Sequence, residues 1–498
     1  MKTLLKSCIL IISCSINLQA YSSENTDLVE FVNEKREYLA EAIKCDKDIK
    51  ALAIALFTND KIIWQEFFGK TTYNRPINDS TLFSVQSISK NFTALAILFA
   101  VQDGLVNLDT PITIYLPDFK VNSCYEKSPE TKITLRKMLT HTAGFTHEAP
   151  CGNNYDFRCQ SKRIHWNSIR ETWLKFPVGM EYSYSNLGYD LAAEIIETVS
   201  GMSFEAYLEK KIFKPLNMKY STLDDNKFVE NKNKTEGYIS RYTKQEHHKI
   251  PLIGSGAVYS NINEMIKYIQ FHMNFGNLSG KQLIKREHLL EMYQQHKKNY
   301  GLGIVSGTAV NKEYDIDTYY LNHNGGGFGY GSTMTWVPEY GIGCVALGYG
   351  PARYSSLVID NVLFDYIIKF KTREKPELNR DFNPLKNDKN HSIFNKNFIS
   401  PKNIKNFEPV NKKNLTGTYE VVFGGREFTL WGKILRFFGF LKRKVKIHLN
   451  SDNLIMKGYF GEHKLKEYFP GLFFTTAGEA FDFRKEYPTY RNIKLRKL

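Results

Sequence analysis

Several absences narrow this chain before any motif is read. No run of about 18 or more apolar residues occurs, which excludes a polytopic membrane protein. There is neither a CxxC pair nor His/Cys ligand spacing, so no residues mark a structural zinc and no metal or cofactor is expected. A GxxxxGK phosphate loop ending in Ser or Thr is missing, and no internal repeat is found. Cysteine is scarce, and only Cys45, Cys124, Cys151, Cys159 and Cys344 lie beyond residue 20. Cys151 and Cys159 stand eight apart in a polar stretch, where an oxidising compartment favours a disulfide, with Cys124 a competing partner. The odd count leaves at least one thiol free, and Cys344, inside apolar residues 342–347, is expected in the core.

What is present is a 498-residue chain with an ordinary apolar share of 42%, long enough for a large catalytic domain and a smaller second one. Lys2 and Lys6 precede a short apolar segment at residues 8–12, and small or polar residues follow to Ala20. That pattern predicts a secretory signal peptide over residues 1–20, and hence a periplasmic or secreted protein. A second reading is a lipoprotein anchored at Cys14, because Ile11-Ile12-Ser13-Cys14 resembles a lipobox. The net charge of +15 comes from lysines scattered among asparagines, so nucleic acid is not an expected partner.

Residues 25–45 read as a helix, and residues 51–57 and 62–68 as a hairpin turning at Asn59-Asp60. Residues 92–101 are apolar at helical spacing and stop at Gly104. Residues 105–250 are mostly helix and loop, clearest at 192–199 and 204–212. Short strands are expected at 300–305, 319–323, 332–337 and 342–348, before a closing amphipathic helix at 357–370. Strands at both ends with helices between predict an α/β (α+β) domain over residues 21–370, its sheet assembled from distant segments. Residues 371–411, rich in Lys, Asn and Pro, read as a linker. Residues 412–498 read as a small all-β module, with strands at 415–422, 445–449, 454–459 and 472–475. Within it, Trp431, Leu435, Phe437, Phe438, Phe440 and Leu441 precede Lys442-Arg443-Lys444. Two readings stand: contact with an anionic membrane surface, or a core-facing hairpin or helix with a solvated charged end.

Three segments carry chemistry. In Ser87-Ile88-Ser89-Lys90, helical spacing puts the amine one turn from the hydroxyl, where a neutral lysine can take its proton. In Tyr184-Ser185-Asn186, the phenol can move a proton and the amide can orient a carbonyl. The same tripeptide recurs at Tyr259-Ser260-Asn261, so only flanking context separates the copies. In His323-Asn324-Gly325-Gly326-Gly327, glycines ending a strand permit close approach of a ligand to backbone N–H groups.

Taken together these segments resemble the β-lactamase-related serine hydrolases: penicillin-binding proteins, serine β-lactamases, and esterases and D-amino-acid peptidases of the same fold. The resemblance covers residues 30–370 and is supported by Leu139-Thr140-His141-Thr142-Ala143-Gly144 and Gly254-Ser255-Gly256. It implies an antiparallel sheet flanked by helices, with a helical subdomain. Ser87 would be the nucleophile, Lys90 its base, and Tyr184 the proton donor to the leaving group. Asn186, His323, Gly325 and Gly326 would bind substrate, with Asn186 also aligning the lysine and His323 beside the tyrosine and hydroxyl. The N–H groups of Ser87 and Gly326 would form the oxyanion hole, and His141 would pack its loop. A histidine stands where a Lys-Thr-Gly motif supplies a fixed cation, so the resemblance implies an esterase or D-stereospecific peptidase acting on a small molecule or peptide more than a penicillinase. A penicillin-binding D,D-peptidase or β-lactamase is the alternative within the class, and a non-catalytic binding protein the alternative outside it.

Overall fold

A computed structural model describes residues 23–45, 49–155, 158–240, 243–244, 251–349, 360–371, 408–422, 443–451 and 453–498. The expected signal peptide, the Cys14 lipobox, most of the linker and the aromatic run before Lys442-Arg443 lie outside the described residues.

The central sheet joins the two ends of the first domain. Its strands are β1 (Ala51–Thr58), β2 (Ile62–Gly69), β3 (Val305–Asn311), β4 (Ile316–Gly327), β5 (Tyr330–Val337) and β6 (Ile342–Tyr349), all antiparallel in the order β2-β1-β6-β5-β4-β3. Along β1, Ala51, Ala53, Ala55 and Phe57 enter one hydrophobic cluster while Leu52, Ile54 and Leu56 enter another. A strand covered on both faces reads as a continuous apolar run, which is why residues 51–57 show no alternation.

On one face lies helix α1 (Ser23–Cys45), through Phe31 and Leu39, with Val362, Leu363 and Ile367 of the segment that closes the domain. The other face carries the helical half: α2 (Ser89–Gln102), α3 (Lys162–Ile169), α4 (Leu187–Ser200) and α5 (Ile262–Met273). Every residue of α2 from Ser89 to Ala100 is buried, as a helix apolar on all sides must be. No described helix is long and apolar enough to cross a membrane.

The strand expected at 300–305 differs most from the sequence reading. Residues 300–304 are not strand; β3 begins at Val305 and runs on to Asn311 as an edge strand, with Thr308 and Val310 partly solvent-facing. Its buried positions are Ser306 and Gly307 while the apolar Val310 is exposed, so no apolar run marks the strand. The disulfide joins Cys151 to Cys159; Cys124 is buried as a free thiol, Cys344 lies in the core and Cys45 is exposed.

The C-terminal module is a closed eight-stranded barrel: β7 (Gly417–Val421), β8 (Lys444–Asn450), β9 (Asn453–Gly458), β10 (Gly461–Phe469), β11 (Leu472–Thr475), β12 (Ala480–Asp482), β13 (Thr489–Tyr490) and β14 (Ile493–Lys497). Closure leaves no unpaired edge. Its wall packs on the first domain, where Leu472 and Phe474 meet Cys124, Tyr125 and Trp173. Gly478 sits so close that an added Cβ would lie 2.2 Å from the Lys175 carbonyl oxygen. Next to it, buried Glu479 accepts from Thr146 Oγ1 at 2.7 Å and pairs with Lys175 Nζ at 2.7 Å. Asn492 Nδ2 donates to the Glu148 carbonyl at 2.7 Å.

Glu479→Ala removes one partner of a largely buried charge pair and strands the Thr146 hydroxyl. It should cost about 3 kcal/mol, read as a lower denaturant midpoint at unchanged slope. An unmoved midpoint would show that the pair is not a stabilising contact.

Candidate active site

Ser87 is held by a turn that the local backbone makes rigid. Phe83 and Ser84 pair with Ser260 and Tyr259, and Val85 N donates to Val258 O at 3.0 Å. Gln86 then takes a left-handed conformation (φ 51°), rare for a residue with a side chain, and opens the 3-10 turn that carries Ser87 into α2. From the other side Ser332 Oγ donates to the Val85 carbonyl at 2.7 Å. The second Tyr-Ser-Asn is therefore structural: Tyr259 and Ser260 form the bridge, and Asn261 Oδ1 caps α5 by accepting from Glu264 N.

Lys90 lies one turn further along, fully buried, with its Nζ 3.1 Å from Ser87 Oγ. The amine also donates to the Ser255 carbonyl at 3.0 Å and lies 4.8 Å from the centre of the Tyr184 ring. Burial pushes its pKa down to about 7, against the pull of Asp190 and Glu148 in the opposite direction. Alignment of the amine thus falls to the Ser255 carbonyl, where the sequence pointed to Asn186.

Tyr184 lines the cleft with Ser87, and its packed surroundings push the phenol up. His141 organises this wall from a left-handed position (φ 59°): its carbonyl accepts from Ser183 N and its Nδ1 from Ser185 N, with the ring 4.4 Å from that of Tyr184. That is a packing role, as the sequence suggested. Asn186 sits at the start of α4, makes no side-chain cap bond and lines the cleft.

His323 is placed differently from the sequence expectation. Its Nδ1 bonds the Asn324 carbonyl and its Nε2 bonds the Tyr300 hydroxyl, each at 2.8 Å. A carbonyl only accepts, so Nδ1 carries the proton and Nε2 receives the Tyr300 hydroxyl. Both nitrogens are engaged away from Ser87 and Tyr184, and burial, then the Lys90 charge, push the pKa of His323 down to about 3. The imidazole is neutral across the working pH range. Tyr300 was read only as the start of a strand; its role needs the β4 position to be visible.

The two glycines divide their work. Gly326 lines the cleft. Gly325 does not; a Cβ there would lie 2.1 Å from the Val85 carbonyl oxygen, so this glycine lets β4 close on the Ser87 turn. The cleft of about 400 Å³ brings Ser87, Tyr184, Asn186, His323 and Gly326 together, with Tyr182, His147 and Lys298 as walls that no motif announced. A serine hydroxyl beside a buried amine, facing a glycine-lined strand end, is an arrangement suited to acyl transfer.

Comparison with known proteins agrees. The Beta-lactamase family model matches residues 35–356, more than half of the chain. Beta-lactamase-like protein 4 of Dictyostelium discoideum is 26% identical over 59% of this chain and 56% of its own length. The D-alanyl-D-alanine-carboxypeptidase/endopeptidase AmpH of Escherichia coli (strain K12) is 23% identical over 63% of this chain and 83% of its own. Protein flp of Staphylococcus aureus (strain MRSA252) is 24% identical, and the match spans 62% of that protein. The match thus spans less than two thirds of the Dictyostelium and Staphylococcus relatives. The octameric penicillin-binding protein homologue from Pyrococcus abyssi shares the fold, with a TM-score of 0.59 at 19% identity, over 92% of this chain and 95% of that one. The chain belongs to the β-lactamase-related family of serine hydrolases.

Proposed function

We propose that this protein is an exported serine hydrolase that cleaves an ester or amide through an acyl-enzyme on Ser87. The observation that carries the reading is the Lys90 amine, fully buried and 3.1 Å from Ser87 Oγ. An amine with a pKa near 7 is unprotonated in about half of the molecules at neutral pH, and in that form it can accept a proton. Lys90 takes the Ser87 proton as Oγ bonds the substrate carbonyl carbon. The negative charge that forms on the carbonyl oxygen meets the N–H groups of Ser87 and Gly326. Tyr184 gives its phenolic proton to the leaving oxygen or nitrogen and recovers one from the Lys90 ammonium. Water then attacks the acyl carbon by the same route in reverse, releasing acid and restoring the Ser87 hydroxyl.

The neutral His323 leaves the strand end without the cation that suits a β-lactam carboxylate, which favours esters and D-amino-acid amides over penicillins. A D,D-peptidase is the second reading, favoured by the printed activity of the Escherichia coli relative. Export rests on the charged, briefly apolar N-terminus, with Cys14 as the anchoring alternative.

A fluorophosphonate should label the full chain, and Ser87→Ala should abolish the label; an unlabelled wild type would instead support a non-catalytic binding protein. Mass spectrometry of acyl-enzyme formed with a nitrophenyl ester, a D-amino-acid amide and a fluorescent penicillin should rank the penicillin slowest. Because the unprotonated amine is the active form, the acylation rate should rise with pH, reach half its plateau near pH 7 and level off above it. Lys90→Ala should lower the rate by about 10²–10⁴-fold and remove that limb. A flat wild-type profile would rule out Lys90 as the base.

A further inference from the structure

The reaction above leaves one buried pair of ionisable groups unused. His165 on α3 and Asp190 in the first turn of α4 are both inaccessible to solvent, with Nε2 3.0 Å from Oδ2. Asp190 is fully subscribed: Oδ1 accepts from Gly254 N and Ser255 N at 3.0 Å each, and Oδ2 accepts from Ser255 Oγ at 3.1 Å. The peptide fixed in this way carries the Ser255 carbonyl to which Lys90 donates. Thr93 Oγ1 holds the neighbouring Gly254 carbonyl at 2.6 Å from the α2 side. Gly254 packs so tightly that an added Cβ would lie 2.1 Å from the Tyr189 carbonyl oxygen. The turn has no other position open to it.

We propose that the His165–Asp190 pair is the positioning device for Lys90: the carboxylate fixes the carbonyl that aims the amine, and a protonated His165 cancels the carboxylate's charge so that the amine can be neutral. The proposal rests on the acyl-enzyme reading only for its role in the reaction; the charge relation stands on geometry. His165 Nδ1 bonds the Cys151 carbonyl at 2.7 Å, and Nε2 bonds the Asp190 carboxylate. Both partners can only accept, so both ring nitrogens carry hydrogen and the ring is an imidazolium. His165 is accordingly raised in pKa: burial opposes the charge, but the bonds to Asp190 and Cys151 overcome it.

The charge balance follows from what faces Lys90. Beside Ser87, Tyr184 and Tyr189, it meets Asp190 and Glu148 as anions, and His141 and His323 as buried imidazoles pushed to the neutral side. Glu148 is itself bonded to His147 Nδ1 and Asn154, and it faces His165 as well, as does Glu194. A lone carboxylate at Asp190 would favour the proton on Lys90 more than one paired with an imidazolium does. Paired with an imidazolium it presents little net charge.

The test uses the full chain labelled with 13C,15N-lysine and -histidine. In the wild type at pH 7 both His165 nitrogens should show the protonated shift; a neutral ring would overturn the proposal without any variant. His165→Gln keeps a donor to Asp190 but removes the positive charge. It should raise the Lys90 titration by about one unit, read from its Cε signal assigned through Lys90→Arg. Acylation at pH 7 should fall about fivefold and recover at higher pH. His165→Gln with Asp190→Asn removes both charges and should return the titration towards that of the wild type. A double variant shifted as far as the single, or a single unshifted, would overturn the proposal. The Lys90 titration needs no substrate, so a wild type that fails to acylate would sink the proposed function and leave this relation to be judged by the titration alone.

Discussion

A lysine ammonium surrounded by protein loses its hydration, and the loss is several kcal/mol unless anions replace the water. Lys90 has no solvent access, and the groups around it supply only partial compensation. The amine responds by releasing its proton near neutrality. The proposed chemistry depends on that response: a neutral amine within bonding distance of a hydroxyl can act as a base, whereas a solvated lysine at the same spacing would be only a surface cation. The sheet, the helical half and the turns around the cleft together keep water from one nitrogen atom.

Several segments meet at that atom with little tolerance. Val85 and Gln86 present the serine, α2 presents the lysine, the 253–256 turn aims it, and β4 closes the far side. Glycine appears where backbones touch: Gly325 against the Val85 carbonyl, and Gly254 against the Tyr189 carbonyl. In both places a methyl group would move Ser87 or the carbonyl to which Lys90 donates. Strain accompanies this closeness, since Gln86 and His141 hold left-handed conformations beside Ser87 and Tyr184. Interactions from opposite sides, such as Ser332 Oγ on the Val85 carbonyl, hold the strained turn in place.

The local parts of this arrangement were legible in the sequence, and the convergent parts were not. Ser87 and Lys90 are three apart on a helix, so their contact follows from periodicity. The hairpin of β1 and β2 and the four strands of the second sheet segment announced themselves through apolar residues and glycines, although β3 was placed five residues early because its buried positions are Ser306 and Gly307. In the barrel, β10 (residues 461–469, Gly-Glu-His-Lys-Leu-Lys-Glu-Tyr-Phe) was missed because it buries only Leu465 and exposes charged neighbours. The likeness of the two Tyr-Ser-Asn copies shows the limit from the other side, since one forms a cleft wall and the other a bridge and helix cap. His165 and Asp190, 25 apart, and Thr146 and Glu479, 333 apart, carry no shared pattern; only folding brings them together.

The barrel belongs to the same set of constraints. Residues 144–155 form a wall of the cleft without regular secondary structure of their own, and they are held from both sides. Towards the cleft, the Thr146 carbonyl accepts from Ser185 Oγ at 2.6 Å and the His147 carbonyl accepts from Asn186 N, so this loop fixes the segment that carries Tyr184. Away from it, Glu479 takes the Thr146 hydroxyl and Asn492 the Glu148 carbonyl. One residue, Thr146, therefore transmits the position of the barrel to the segment that carries Tyr184 through two hydrogen bonds. A loop that must place a phenol to within a fraction of an ångström, yet has no ladder of its own, needs such an external support. The family match ends at residue 356, well short of the strands that provide it.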